Sequence, residues 1–322
     1  MILICSREFE PEVPKRMART FVAIVLALLS PALLSAEVVR AASIRVAGLY
    51  LSPDAQSTKL ADIDRGREVI YLEKSGDWIH VEANLTEERT VTGWTPSKGL
   101  IQSTTPDGDK ILFGEAVDAE DQASQRNGRR YAAQDAMRLY GEVAELFPQS
   151  PLAGEAMYRS ADIRWQIEKA DVMSLPSARE QEPYLRRGMN EDYFKKVIKK
   201  FPNTKWAQLA TFQLIDNKLC GDWQAQAKCP VKEAEIYEKY AAEYPQSPAA
   251  AQALFQAAYR WSALIEIYKS GEESKKSDEA KNRAIADAEK AIGQSGQSDW
   301  GPRSKRLLYM VQQGIPTYGN GQ

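Results

Sequence analysis

The sequence predicts a multidomain β + α protein, in which a small β-barrel precedes an all-α array of helical repeats. Residues 44–102 are rich in β-branched and aromatic residues broken by turn formers, whereas Ala, Glu, Lys, Gln and Leu dominate from about residue 110 onward. Within the helical region a single motif recurs in fixed register. It reads FPQSPLAGEAMY from Phe147, FPNTKWAQLATF from Phe201 and YPQSPAAAQALF from Tyr244.

The overall composition favours well-packed domains and disfavours nucleic acid as a partner. The 322 residues are 43% hydrophobic and 27% charged, which supplies enough apolar material for hydrophobic cores. The formal net charge of −2 leaves no basic excess. Neither a surface that follows phosphates nor a polybasic membrane anchor is therefore expected.

The N-terminal residues 1–41 have the layout of a signal peptide. A basic residue precedes an apolar run at 21–34, and small residues follow it. Met17 is the expected start, cleavage is expected after Ala36 or Ala41, and the protein is expected to be periplasmic or secreted. The alternative is a retained anchor, but the run is shorter than the ~20 residues that span a bilayer. No stable membrane span is therefore expected after cleavage.

Two cysteines remain beyond the signal peptide, Cys220 and Cys229 in KLCGDWQAQAKCP. An even pair in an exported chain usually forms a disulfide, so these two are predicted to be bonded to each other. As metal ligands they would need two further donors, and His80, the one histidine of the chain, is far away in sequence. No metal and no other cofactor is expected.

The predicted barrel shows the alternation of half-buried strands. Around Trp78 the pattern places Ile79 and Val81 on one face and Trp78 and His80 on the other. The polar segment NLTEERT that follows is predicted to be a hairpin loop.

The same segment resembles the bacterial SH3-like (SH3b) domain over about sixty residues. The resemblance rests on LYLSPDAQSTKL, on GREVIYLEKSGDWIHVEA and on the closing GWTPSKGLI. In that family Gly-Asp-Trp, here at 76–78, and Gly-Trp, here at 93–94, mark consecutive strands of the barrel. The insertion at 86–92 is longer than in the shortest members of the family.

The resemblance implies a domain that often binds cell-wall peptides. Tyr50, Trp78 and Trp94 are the candidate ligand-binding residues, because outward aromatic rings on a small barrel can stack on a ligand. The sequence favours the other interpretation, that these rings pack in the barrel core, since large aromatic residues dominate core burial.

Each copy of the repeated motif predicts a helix end joined to a helix start. The proline after the first aromatic residue ends a helix, because it removes a hydrogen bond and clashes with the preceding turn. Two residues later Ser150, Thr204 or Ser247 can cap the next helix. A second proline follows in two copies, at the first helical position, where proline is tolerated.

The motif also predicts the packing inside the array. Its two alanines lie three residues apart and therefore on one helix face, where small side chains let a second helix approach closely. Aromatic residues fill the wider spaces beside these contacts, and a further aromatic stands seven residues before each motif. The predicted repeat core comprises Phe147, Ala156, Tyr158, Phe201, Ala210, Phe212, Tyr244, Ala253 and Phe255. A weaker fourth copy is SDWGPRSKRLLY, which ends at Tyr309.

Self-similar helix pairs indicate a stacked array. The motif resembles the tetratricopeptide family, in the variety found in the Tol-Pal system coordinator and in the outer-membrane assembly lipoprotein. The array is assigned to 110–315, after a linker at 103–109 and before a tail at 316–322. The motifs start 54 and 43 residues apart, against about 34 in the family. The insertions ADVMSLPSAREQEP, LCGDWQAQAKC and KSGEESKKSDEAK supply the extra length, and the charged run in the last is a solvated loop or a helix start.

Few residues could support catalysis, and the chain is predicted not to be an enzyme. His80 would need a nucleophile, and the sequence has no Gly-x-Ser-x-Gly elbow to present one. Glu87 and Glu88 could act as paired glycosidase carboxylates, but acidic neighbours at a hairpin tip are ordinarily solvated.

The sequence thus predicts an exported, non-catalytic scaffold of the cell envelope. The resemblances imply that the repeats bind protein or peptide partners and that the SH3-like domain binds cell-wall peptide, with peptidoglycan as a candidate ligand. The alternative function is that of a cell-wall hydrolase or of its activator.

Overall fold

The computed structural model describes residues 38–86 and 88–318. The predicted start at Met17, the apolar run at 21–34, Glu87 and the last four residues of the predicted tail lie outside the described residues. None of the helices in the described residues combines the length and apolar character needed to cross a membrane.

The described chain begins with one antiparallel sheet. Its strands are β1 (Arg40–Ser43), β2 (Ala47–Tyr50), β3 (Lys59–Ile63), β4 (Glu68–Ser75), β5 (Trp78–Thr86), β6 (Arg89–Pro96) and β7 (Leu100–Gln102). They form a seven-stranded sheet in the order β3-β2-β6-β5-β4-β1-β7. Among the described residues no ladder joins β3 to β7, so the sheet is not closed. It begins at Arg40, before the predicted start at residue 44, because β1 pairs with both β4 and β7.

The predicted alternation appears along β5. Ile79 and Val81 are buried, whereas Trp78 and His80 on the other face are half-buried. The sheet has its own hydrophobic cluster, made of Ala41, Leu49, Ile63, Val69, Ile79, Val81 and Ala83.

The predicted hairpin loop NLTEERT is wrong in extent. β5 continues to Thr86 and β6 begins at Arg89, with Asn84 opposite Thr90 in the ladder. Cross-strand pairing therefore reaches almost to the tip of the hairpin, because its threonines and apolar residues favour an extended chain. Most of the insertion at 86–92 therefore lengthens β6, and its first residue ends β5.

Nine α-helices follow within the described residues. They are α1 (Gly108–Ser124), α2 (Ala132–Leu146), α3 (Ala153–Met173), α4 (Asp192–Lys200), α5 (Lys205–Gln213), α6 (Lys228–Glu243), α7 (Ala250–Ser270), α8 (Ser274–Gln294) and α9 (Trp300–Gln312). The chain from α2 onward consists of four successive pairs, and α2, α4, α6 and α8 are here named the first helices of the pairs. In three pairs the second helix also contacts helices outside its own pair: α3 packs on α4 and α5, α7 on α8 and α9, and α9 on α7.

The three motif copies end their first helices in the same backbone conformation. Phe147, Phe201 and Tyr244 have φ of −127°, −126° and −125°, with ψ of 59°, 55° and 61°. Each of these residues donates its backbone N–H to the carbonyl oxygen four residues earlier. The sequence motif therefore ends each of these three helices with the same C-terminal backbone conformation.

The predicted caps are correct for one copy and wrong for two. Thr204 caps α5, since its hydroxyl accepts a hydrogen bond at 3.3 Å from the backbone N–H three residues on. Ser150 and Ser247 instead form turns, because their hydroxyls accept from the N–H two residues on, and α3 and α7 begin only at Ala153 and Ala250. In these two copies proline follows the serine, and its fixed φ and missing N–H start a tight turn before the helix.

The motif residues lie at the contacts between helices. Ala156, Ala210 and Ala253 have 0% of their surface exposed. Half-buried aromatic residues pack against the hydrophobic clusters around them, namely Phe147, Tyr158, Phe201, Phe212, Tyr244 and Phe255. In the weaker fourth copy Ser304 and Leu307 are buried in the alanine positions, whereas Tyr309 is exposed.

The sheet and the helices share a hydrophobic cluster. Ala42 and Ile101 of the sheet belong to the same buried cluster as Leu112, Leu139 and Tyr140 of the first two helices. From Val39 onward the described chain forms one compact unit.

The predicted insertions differ from one another in structure. The first contains the 3₁₀ turn Pro176–Arg179 and ends where another 3₁₀ turn, Pro183–Leu185, begins. The second is closed by a disulfide between Cys220 and Cys229, with Cα atoms 6.0 Å apart, which confirms the predicted pairing. The third is mostly helical, because α7 runs to Ser270 and the charged run begins α8.

Candidate functional site

The aromatic residues predicted on the barrel gather on the face of the sheet that points away from its core. Tyr50 and Trp78 meet edge to face, with ring centroids 5.5 Å apart. His80 stacks on Trp94 at 4.9 Å with an interplanar angle of 16°. All four are half-buried and lie outside the sheet's hydrophobic cluster, so the interpretation that they fill the core is wrong. We name these four residues the aromatic face.

His80 is held by its neighbours on this face. Its Nδ1 lies 3.2 Å from Oε1 of Glu73 on β4, and its ring covers Trp94. These two contacts fix the orientation of the imidazole ring within the packing of this face. The described residues contain no group of three or more His, Cys, Asp or Glu side chains placed to hold a metal ion.

A turn of the sheet is pressed directly onto α2. Gly66, between β3 and β4, has a φ of +70°, and a Cβ added there would lie 2.7 Å from the Cβ of Arg138 and from the backbone nitrogen of Leu139. Only glycine permits this close approach. Arg138 Nε in turn donates to the carbonyl oxygen of Arg65 at 2.8 Å. This contact places the sheet beside the first helices of the pairs.

A cavity of about 300 Å³ opens beside this contact, and we name it the junction cavity. Its walls come from the β3–β4 turn and β4, from β5, and from α2, α3 and α4. Arg67 and Glu142 both line it, and each has a buried side-chain atom, Nε and Oε2 respectively, without a hydrogen-bond partner among the described residues. The cavity therefore offers one donor and one acceptor that no other described residue engages.

Glu142 is the most perturbed acid of this cavity. Burial raises the pKa of its carboxyl to about 8, and Glu68 adds to the effect by like-charge repulsion. Arg40 opposes the shift, but its guanidinium is already engaged by Glu68. A hydrogen-bond donor on a ligand would stabilise the ionised form of a carboxyl group in this environment.

A second groove, of about 500 Å³, lies between the first helices α6 and α8. We name it the α6–α8 groove. Glu238 accepts hydrogen bonds from Arg283 at 2.6 Å and from the indole N–H of Trp261 at 2.7 Å. The guanidinium carbon of Arg283 lies 3.7 Å from the centre of the Trp261 ring. The two side chains that donate to Glu238 therefore also pack on each other.

Asp287 occupies the floor of the α6–α8 groove. Only 4% of the residue is exposed, and its Oδ2 has no hydrogen-bond partner among the described residues. Burial raises the pKa of its carboxyl to about 7, and the neighbouring Glu238 adds to the shift. Lys290 lies 3.5 Å from the other oxygen and opposes it.

Sequence reasoning missed both acids, the buried Asp287 and the half-buried Glu142, although a signal was present. Asp287 stands seven residues after Ala280 and three after Ala284, on the buried stripe of α8. Glu142 stands three residues after Leu139 and four before Leu146 on α2. A carboxylate on an apolar stripe at helical spacing predicts a buried acid.

Comparisons with known proteins assign no family. No protein-family model matches the chain, and no curated protein matches it. A solved structure described as "DHF58 filament" is 17% identical, covers 64% of this chain and 91% of its own, and has a TM-score of 0.22. A TM-score this low carries no argument about fold or function.

Proposed function

We propose that the protein is an exported, non-catalytic scaffold of the cell envelope that binds protein or peptide partners through its helical repeats. One observation carries this proposal. The junction cavity lies between the sheet and the helices α2, α3 and α4, and the α6–α8 groove lies between two first helices. Each contains a buried carboxyl oxygen without a hydrogen-bond partner among the described residues. Leaving such an oxygen unpaired costs about 1–3 kcal/mol. The backbone N–H groups of a bound chain would remove this cost.

The repeat architecture supports the same function. Paired helices with a common exit conformation agree with the resemblance to tetratricopeptide arrays, which hold partners along the surface lined by first helices. The Cys220–Cys229 disulfide supports an oxidising compartment, and hence export.

We extend the proposal to the sheet, which we assign to the SH3-like class and to weak binding of cell-wall peptide. The aromatic face supports this extension, because half-buried rings at the surface can stack on a ligand while remaining fixed by their neighbours. Tyr50, Trp78 and Trp94 are the residues expected to make the contact.

Site-directed photo-crosslinking in the producing cells tests the repeat surface. Tyr193 lines the junction cavity, and Tyr309 is exposed on α9. Each is replaced in turn by p-benzoylphenylalanine, which keeps the aromatic ring at both positions. We expect an envelope partner to be captured from position 193 and not from position 309. Capture from neither position, or equally from both, would contradict the proposal.

Incubation with purified peptidoglycan tests the aromatic face and separates the scaffold from the hydrolase. Cosedimentation that falls in Trp94→Ala, but not in Tyr184→Ala, is expected. Tyr184 is a suitable control because it is 80% exposed and lies in the 3₁₀ turn Pro183–Leu185, outside the strands of the sheet. Release of soluble fragments by the wild-type protein would favour the alternative function of a cell-wall hydrolase.

A further inference from the structure

A third cavity, of about 400 Å³, lies in the insertions, and we name it the insertion cavity. Its walls are the last turns of α3, the first insertion, the segment from Arg186 to Met189 that follows it, and the segment from Asp216 to Asp222. It is separate from the junction cavity and from the α6–α8 groove, since it shares no lining residue with either. Its volume is near the lower end of the roughly 300–1,000 Å³ typical of ligand sites.

The charges around this cavity favour an anion. Four basic residues line it, namely Lys169, Arg179, Arg186 and Arg187, against the two acids Asp216 and Asp222. Asp216 is already engaged, because it accepts from Lys169 Nζ at 2.7 Å and from the indole N–H of Trp165 at 3.2 Å. The cationic excess therefore lies on the arginines.

Arg186 is the basic residue whose hydrogen bonding is incomplete. Its Nη2 donates to the carbonyl oxygen of Leu219, but its Nε is buried and has no partner among the described residues. Burial lowers the pKa of Arg186, as expected for a cation that has lost water without gaining a carboxylate contact. Arg187, by contrast, already pairs with Asp171 at 3.0 Å.

The remaining walls are apolar. Val172, Met173, Pro183, Met189 and Leu219 face the same space. An anion that fits must therefore carry an apolar part beside its charged group. Arginine presents a planar fork of donors that matches a carboxylate better than a single point charge would.

We propose that the insertion cavity binds the free carboxylate end of a peptide chain, with Arg186 contacting the carboxylate and the apolar walls receiving the last side chains. A chain end fits because the cavity has room for a few terminal residues, whereas an internal Asp or Glu would bring chain on both sides. This inference goes beyond the proposed function, since it depends on other residues and can hold even if the two grooves bind nothing.

The disulfide holds one wall of this site. Cys220 is bonded to Cys229 at the start of α6, and the adjacent Gly221 and Asp222 donate their backbone N–H groups to Glu180 and Arg179 at 3.1 and 3.3 Å. These bonds join the second insertion to the first. Reduction of the disulfide is therefore expected to weaken binding of the peptide end.

Calorimetric titration of the disulfide-bonded, signal-free chain tests the inference. The probe is acetyl-Ala-Leu-Leu with a free carboxylate, compared with the same peptide as its C-terminal amide and with propionate alone. We expect the free acid to bind with a Kd at least tenfold lower than either the amide or propionate. Arg186→Gln should raise that Kd at least tenfold, while Arg306→Gln, an identical change at an exposed site on α9, should leave it unchanged.

Four results would overturn the inference. Equal affinity for acid and amide, or no binding of either peptide, would exclude a carboxylate site. Propionate binding as tightly as the tripeptide would exclude a peptide end. An unchanged Kd in folded Arg186→Gln would remove Arg186 from the contact. Should that variant fail to fold, the comparison of acid, amide and propionate on the wild-type chain decides alone.

Discussion

Glu233 Oε2 lies 2.8 Å from Arg260 Nε, and both side chains are almost fully buried. The other carboxylate oxygen accepts from the backbone N–H of Cys220 at 2.7 Å and from the indole N–H of Trp223 at 3.3 Å. The guanidinium also lies 4.6 Å from the centre of the Tyr237 ring. This ion pair joins α6 to α7 and fixes the disulfide-bonded loop to both.

Removal of one partner should therefore be costly. Arg260→Met leaves the Glu233 carboxylate buried without its counter-ion, and we expect the free energy of unfolding to fall by about 3–5 kcal/mol. Arg187→Met breaks an exposed pair with Asp171 and should change it by less than about 1 kcal/mol. Urea unfolding of both variants measures the difference. Equal effects would show that the buried pair is not required for stability.

The small residues of the repeat should not tolerate enlargement. Ala210 is completely buried against Trp165 and Phe194 in one cluster, so Ala210→Leu should lower the free energy of unfolding by about 1–3 kcal/mol. Lys275→Ala, at an exposed position of α8, should change it by no more than about 0.5 kcal/mol. Thermal or urea unfolding compares the two. Wild-type stability in Ala210→Leu would contradict the assigned helix contact.

Two glycines that line the insertion cavity should respond differently to alanine. A Cβ at Gly221 would lie 2.5 Å from the carbonyl oxygen of Glu180 and 2.7 Å from that of Ala178, so the two insertions must move apart. At Gly188 the nearest atom is 3.9 Å away. We expect Gly221→Ala to lower the free energy of unfolding by about 1–3 kcal/mol and Gly188→Ala to change it by about 0.5 kcal/mol or less. Faster amide exchange at Asp222 in the first variant alone would support the stated cause.

The buried acid of the junction cavity should make stability depend on pH. The pKa of Glu142 is about 8 in the folded chain, because of burial and of repulsion from Glu68 and Glu145, with Arg40 opposing. It is about 4.3 in an unfolded chain. The folded state therefore holds the proton more tightly. This contribution to stability is fully present below the unfolded pKa and is lost as the pH rises through about 8.

In Glu142→Gln the side chain is uncharged at every pH. Between pH 5 and pH 8 the free energy of unfolding of this variant should therefore fall by about 2–4 kcal/mol less than that of the wild type. Glu145→Gln serves as the control on the same helix. Although burial opposes the change, Lys196 and Lys200 lower the pKa of Glu145, so its contribution is instead lost as the pH falls. Urea unfolding between pH 5 and pH 8 measures the slopes, and Glu145→Gln should follow the wild type there, because the contribution of Glu145 is lost only below its ordinary pKa of about 4.3. Parallel curves for Glu142→Gln and the wild type would refute the raised pKa.

The structure also distinguishes the two cleavage positions considered for the signal peptide. Ala41 is 1% exposed in β1, where it pairs with Val69 of β4 and Gln102 of β7. Cleavage after Ala41 would remove half of a strand from within the sheet, so the mature chain is expected to begin after Ala36. Intact mass measurement of the protein purified from the producing cells checks this. A mature chain that begins at Ala42 would contradict it.

Local patterns determined much of the architecture. The alternation at 78–81 predicted the inward and outward faces of β5, because side chains on a strand alternate whatever the strand packs against. The proline after each motif aromatic predicted where α2, α4 and α6 end, because its ring cannot continue a helix. The even pair of cysteines left beyond the expected signal peptide, Cys220 and Cys229, predicted their bond.

Tertiary structure alone decided what lies beside these elements. The position of β1 between β4 and β7 depends on pairings between strands that are distant in sequence, and no local pattern reports them. The turn at Gly66 touches Arg138 only once the sheet has docked on α2. The burial of Glu142 and the unpaired Nε of Arg186 likewise arise where separate segments meet, because desolvation depends on every neighbour of a charged group and a sequence names only those along the chain.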